Sequence, residues 1–271
     1  EATPLAITPV AITIDHQLQE NSAAQAEKVC KQLKEMGYKN VLTEKVVVTT
    51  ESGLEAGARS ARYQALDSSA EKESAVKIFL GHTRDDQAET VLLGLARGSG
   101  ARSLSGMAAE NGKYLRPFLQ VTRQETEDVC KELGLEIWND PHNFNADFTR
   151  VKVRREILPL MESKLGPGIS AALARTAGLL RDDADALDGL AAAEISHLNL
   201  TDIDCEYLAA LPRALRTRVI RAAIYACGAP EGSITADHVA AAEALVTSWR
   251  GQGPLSLPGG VKVERISGRL S

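Results

Sequence analysis

Ala75 to Leu80 is a short apolar run, with Val76, Ile78, Phe79 and Leu80, and it stops at Gly81. From Asp85 the spacing changes. Ala88, Val91, Leu92 and Leu95 recur at helical intervals until Gly98 closes the pattern. A buried strand that turns directly into a helix is the unit of an α/β sheet. It places His82, Asp85 and Asp86 between the carboxyl end of the strand and the first turn of the helix. In an open α/β sheet, ligands bind at that edge. Carboxylates also simply cap helix N-termini, so capping is the competing reading of Asp85 and Asp86.

The rest of the first half repeats this alternation. Val10 to Ile14 reads as a buried strand ending in Asp15-His16. Asn21-Ser22 offers a cap for a helix with Val29, Leu33 and Met36 on one face, closed at Gly37. Val41 to Val48 is β-branched and predicts the next strand, and Glu55 to Leu66 predicts a helix. Lys113 to Leu119, with Arg116-Pro117, is a short extended piece. Thr122 and Glu125 form a capping box for a helix closed at Gly134. Trp138 to Asn145 is turn-rich, and Arg150 to Met161 resumes a helical pattern. Alternating strands and helices predict a Rossmann-like parallel sheet with helices on both faces.

The character changes after Gly166-Pro167-Gly168, the best domain boundary. The expected division is a first domain over 1–165 and a second over 169–271. The second reads as mainly helical, with helices over Ile169 to Leu198, Leu208 to Cys227 and Thr235 to Trp249. Its end, Pro254 to Ile266, predicts two short strands around a Pro-Gly-Gly turn.

Composition excludes several classes. A net charge of −5 rules out a polybasic nucleic-acid binder, so any such contact comes from a local patch. Cys30, Cys130, Cys205 and Cys227 are far apart and form no CxxC pair, which argues against a zinc or thioredoxin-like site. Scattered cysteines, no apolar run long enough for a bilayer and no signal-peptide pattern predict a soluble cytoplasmic protein with no membrane association.

Asp15-His16 reaches the same sheet edge as His82. Neutral imidazoles there can bond a base or ribose. Arg59 and Arg62 lie at i and i+3 and so point to one side of their helix. They are either a solvated face, with Glu55 pairing Arg59, or a clamp on phosphates. Arg150, Lys152, Arg154 and Arg155 form a basic cluster beside an Asn-rich loop, which is either solvated surface or a track for a polyanion. Trp138 and Trp249 read as packing residues.

In order along the chain, several segments resemble the tRNA(Ile)-lysidine synthetases, a branch of the N-type ATP pyrophosphatases, or PP-loop family. They are Asp15-His16, Glu55 to Tyr63, Gly81 to Thr90, Arg97 to Gly100, Arg116-Pro117 and Trp138 to Arg154. The resemblance covers roughly residues 10 to 165. It implies an adenine nucleotide alpha hydrolase-like fold, followed by a smaller helical tRNA-holding domain that ends in a short β-hairpin at Leu257 to Val261. It implies an ATP- and Mg²⁺-dependent ligase. The wobble cytidine of a tRNA(Ile) with a CAU anticodon is adenylated, and free L-lysine then replaces AMP at C2 to give lysidine.

Carried over by position, His82 and Asp86 match the family's His and second Asp. Asp86 takes the magnesium or lysine-amine role and His82 contacts nucleotide or intermediate. Arg62, with Arg59 as alternative, stabilises the transferring phosphate, and His16, Asp15 and Gly81 line the adenosine pocket. Asn143, Arg150, Lys152 and Arg154 contact tRNA, and a homodimer is compatible with the resemblance. The chain departs from the family at His142, where Ser is usual. The Ser-Gly-Gly-x-Asp-Ser string is not found in the chain, so the PP-loop segment is expected to be absent from it. Two alternatives follow: a non-catalytic tRNA-binding homologue, or another PP-loop ATP pyrophosphatase.

Overall fold

The computed structural model describes residues 7–19, 21–49, 53–138, 140 and 148–271. The chain divides into two compact units, Glu1–Ala177 and Gly178–Ser271, and the division falls within a long helix.

The first unit opens with β1 (Val10–Asp15), α1 (Ser22–Glu35) and β2 (Asn40–Lys45). β1 and β2 pair in parallel from Val10 opposite Asn40 to Asp15 opposite Lys45. The strand expected to run to Val48 stops at Lys45. Val46 adds one more bond, from its N–H to the Asp15 carbonyl, and Val47 is exposed.

α2 (Leu54–Lys72) follows, then β3 (Ile78–Phe79) and α3 (Arg84–Ala96). The run Ala75 to Leu80 is therefore only partly a buried strand. Ile78 is buried while Phe79 is 67 % exposed, because successive strand residues point to opposite faces. Gly57 in α2 has a specific job: a Cβ there would stand 1.8 Å from the Thr49 carbonyl oxygen. Its absence lets the start of α2 lie against the segment leaving β2.

A short α4 (Ala101–Leu104) precedes a hairpin of β4 (Glu110–Asn111) and β5 (Tyr114–Leu115), of which only the second strand was legible. β5 pairs parallel with β3 and antiparallel with β4, so the sheet is not purely parallel. α5 (Arg123–Glu132) starts at the expected capping box, with the Thr122 side chain accepting from the Glu125 N–H and Glu125 accepting in return from the Thr122 N–H. The segment Arg150 to Met161 is not one regular helix. α6 (Thr149–Lys152) passes through a π-turn at Val153–Ile157 into α7 (Leu158–Leu165). One apolar cluster joins Leu66, Ala70 and Ile78 to Ile12, Ile14 and Tyr114; another joins Ala88 and Leu93 to Val153 and Leu158.

α8 (Ile169–Ile195) leads into the second unit, which contains β6 (Ile203–Asp204), α9 (Cys205–Ala210), α10 (Arg213–Ala226) and α11 (Ala236–Thr247). The helix expected over Leu208 to Cys227 is two helices. Leu211 is extended, as the residue before a proline prefers, and Pro212 opens α10. The chain closes with β7 (Leu255–Ser256), β8 (Lys262–Val263), β9 (Arg265–Ile266) and β10 (Arg269–Leu270). β7 and β8 form the expected hairpin around Pro258-Gly259-Gly260. β10 lies between β9 and β6, closing a three-stranded sheet that the sequence reading missed. This unit has its own core, including Ile203, Leu208, Val219, Ile220, Ile224 and Leu270. Among the described residues, no helix is long and apolar enough to cross a membrane.

Candidate active site

The carboxyl ends of β1 and β3, the start of α2 and the start of α3 surround a cavity of about 780 Å³. Asp15, His16, Arg59, Arg62, Gly81, His82, Asp86, Arg150 and Arg154 all line it. Of the expected site residues, Lys152 is exposed outside it, and Asn143 lies outside the described residues. Trp138, expected to pack, is 44 % exposed on the cavity wall.

Asp86 both caps α3 and lines the cavity. One carboxylate oxygen accepts from the Thr83 N–H at 2.8 Å and the Thr83 hydroxyl at 3.0 Å, completing a capping box. The other oxygen faces the Arg123 guanidinium at 3.0 Å and that of Arg154 at 3.4 Å. Asp85 accepts the Arg123 backbone N–H at 2.8 Å and so ties α5 to α3. Thr83-x-x-Asp86 was readable as a cap signal; the second oxygen's partners were not.

Glu89 was part of the motif but had no role assigned. Its side chain is 0 % exposed, and Arg154 clasps it with contacts of 2.6 and 3.0 Å. Arg123 and Arg150 each approach it to 3.7 Å. Burial works against the Arg154 charge, but the bond and charge of Glu89, with Asp86 and Asp85, outweigh it and raise the guanidinium pKa. Arg154, expected against tRNA, is thus turned toward Glu89 and Asp86. Glu55 pairs with Arg150 at 3.4 Å, not with Arg59.

The α2 arginines and two histidines line the same cavity as Asp86. Arg62 donates from Nε to His16 Nε2 at 3.4 Å. That contact requires a lone pair on Nε2, so the proton of a neutral His16 sits on Nδ1. Burial and then Arg62 lower the His16 pKa, which keeps the ring neutral. Burial and then Arg59 lower that of Arg62. His82 is pushed down to about 4, by burial first and then by Arg116, Arg59 and Arg62, against the opposing pull of Asp86. Among the described residues, the Nδ1 atoms of both histidines are buried without a hydrogen-bond partner.

The His82 shift has a measurable consequence. Between pH 6.5 and about 4 the unfolded chain binds a proton at this imidazole that the folded chain refuses. Folding stability therefore falls as pH drops through that window. We expect an NMR titration of the His82 ring to show a midpoint near 4; a midpoint at the ordinary value would refute the burial argument.

A PP-loop domain matches residues 2–161, and a TilS substrate binding domain matches residues 203–271. The tRNA(Ile)-lysidine synthase of Thermobifida fusca is 52 % identical over 96 % of this chain and 81 % of its own length. That of Streptomyces coelicolor is 50 % identical over 100 % of this chain and 78 % of its own. The chain belongs to the tRNA(Ile)-lysidine synthase family. It is therefore an enzyme of the tRNA-modifying ligase type, and a non-catalytic homologue is not favoured. The expectation that the PP-loop segment is absent is corrected, since the PP-loop domain match begins at residue 2. Among solved structures, the U34-tRNA thiolase NcsA from Methanococcus maripaludis shares the fold, with a TM-score of 0.51 at 17 % identity over 64 % of this chain and 62 % of that one.

Proposed function

We infer that this enzyme uses ATP to adenylate the wobble cytidine of tRNA(Ile) with a CAU anticodon, then joins free L-lysine to C2, giving lysidine, AMP and pyrophosphate. The observation that carries the reading is one cavity that brings together Arg59, Arg62, Asp86 and two histidines, His16 and His82, at the ends of β1 and β3. Glu89 is fully buried and is held by Arg154, which lines the cavity.

The cytidine O2 attacks the α-phosphorus, and the electron pair of the broken P–O bond leaves on pyrophosphate. Arg62 and Arg59 offset that developing charge. His16, Asp15 and Gly81 line the adenosine pocket. In the second half the lysine ε-amine attacks C2 and AMP departs. A carboxylate beside the amine holds it and receives its proton, and the position of Asp86 on the cavity wall supports giving it that role. Mg²⁺ fits a site with one protein carboxylate plus substrate phosphates. Asp86 would hold it, and it would neutralise the phosphates. Among the described residues no cluster of three or more metal-ligating side chains occurs, so an all-protein cage is not the fit. Arg150, Lys152, Arg154 and Asn143 serve the tRNA in this reading, with Arg154 also fixed to Glu89. The protein works in the cytoplasm, and a homodimer is compatible with it.

The test mixes the full chain with ATP, Mg²⁺, labelled lysine and the CAU tRNA. We expect label in the tRNA, dependent on ATP and lost when cytidine 34 is replaced by uridine. Tight tRNA binding without label would overturn the ligase reading.

A further inference from the structure

Tyr63 follows Arg62 on α2 and lines the cavity. Its hydroxyl oxygen accepts from two guanidiniums, Arg59 and Arg116, each at 3.3 Å. The Arg59 guanidinium also stands over the ring, 4.9 Å from its centroid. Tyr114 braces the ring edge-on, with centroids 4.9 Å apart and planes at 66°. The Tyr114 hydroxyl donates in turn to Asp67, which also pairs with Lys113 at 2.9 Å.

A phenol oxygen has two lone pairs and one proton. At Tyr63 the lone pairs both face cations. The O–H is the remaining valence, and no acceptor for it occurs among the described residues. Arg116 is 6 % exposed and spends one N–H on the Ala108 carbonyl at 2.9 Å, while its Nε has no partner. It forms no ion pair among the described residues. A buried guanidinium without a counter-anion is costly. Its field, with that of Arg59, draws electrons from the Tyr63 hydroxyl and strengthens it as a donor.

We propose that Tyr63 is a further catalytic residue: its hydroxyl, oriented by Arg59 and Arg116, donates to the phosphoryl oxygens as the cytidine O2–phosphorus bond forms and pyrophosphate leaves. The inference rests on the ATP-dependent adenylation described above. Arg116 is a positioning residue that acts through Tyr63. The 3.3 Å contacts are long, and such bonds tighten when the transition state is bound.

Single-turnover pyrophosphate release from ATP, with the CAU tRNA and no lysine, isolates this step. The wild-type chain is measured first. If it releases none, the adenylation reading fails before this inference is tested. With an active wild type, Tyr63→Phe keeps the ring and its contacts with Arg59 and Tyr114 and removes the hydroxyl, which is both the donor and the oxygen that accepts from Arg59 and Arg116. We expect release to slow about 10²- to 10³-fold, the loss typical of one oxyanion donor. The ATP concentration at half-maximal rate should stay within about twofold, since the donor acts on developing charge. Arg116→Gln should slow the step too, and adding it to Tyr63→Phe should cost little more, because the pair acts as a unit. A Phe variant as fast as wild type, or fully additive losses, overturns the proposal. If Tyr63→Phe lowers Tm by more than about 5 °C, 3-fluorotyrosine at position 63 replaces it. That residue keeps the size and changes only the acidity of the hydroxyl, and an unchanged rate and pH profile then overturn the proposal.

Discussion

Replacing Glu89 by alanine will cost about 3–5 kcal/mol of folding stability, the range for breaking a buried ion pair by removing one partner. The substitution deletes the only fully buried carboxylate among the described residues and removes the 2.6 and 3.0 Å contacts of Arg154, while its 3.4 Å contact with Asp86 stays. Arg123 and Arg150 lose their shared neighbour as well. Two effects compete. Lost pairing strands cations in a poorly hydrated place, while the Arg154 side chain, 23 % exposed, can turn partly to water. The second effect sets the value toward the lower end. Glu89→Gln keeps the volume and two hydrogen-bonding atoms and should lose less. Denaturant unfolding of the two variants beside wild type measures both, and a loss under about 1 kcal/mol for alanine would match an ordinary surface pair and sink the argument.

Asp86→Ala will lower lysine incorporation by about 10³-fold or more, within the range for removing a group that moves a proton in the transition state. The same change removes half of the Thr83 capping box, which by itself is worth about 1 kcal/mol. Asp86→Asn separates the cap from the charge. The amide oxygen can still accept from Thr83, but the amide NH2 then meets Arg123 and Arg154, and no charge is left for the lysine amine or for Mg²⁺. We expect both variants to lose activity and to unfold more easily than wild type, and only the alanine variant to lose the cap. Label that survives Asp86→Ala would keep the function and move the chemistry away from the start of α3.

Much of this site could be read along the chain because it sits at strand ends and helix starts. Those junctions announce themselves by a change of period, as at Gly81, and by short-range pairs such as Thr122 with Glu125. The positions of His16, His82, Asp86, Arg59 and Arg62 follow from them. Elements were misjudged where a local signal was overridden or overlooked. The β-branched run past Lys45 has nothing to pair with beyond Val46. Pro212 divides one apparent helix into two, a break its missing N–H and fixed φ already encode. The π-turn at Val153–Ile157 has no such mark in the residues.

Partnerships are a different matter. Glu55 stands four residues before Arg59, a spacing that favours a helix pair, yet it pairs with Arg150. Glu89 and Arg154 are distant in the chain, as are Tyr63 and Arg116. In the second unit, β6 and β10 meet across most of its length. By itself the sequence determined the alternation of strands and helices, the capping of α5 and the sheet edge where ligands enter, because these depend on residues a few positions apart. Tertiary structure alone decided that Glu89 is buried under arginines and that Tyr63 gathers Arg59 and Arg116. Burial and charge pairing depend on which distant surfaces come together, and local periodicity carries no information about that.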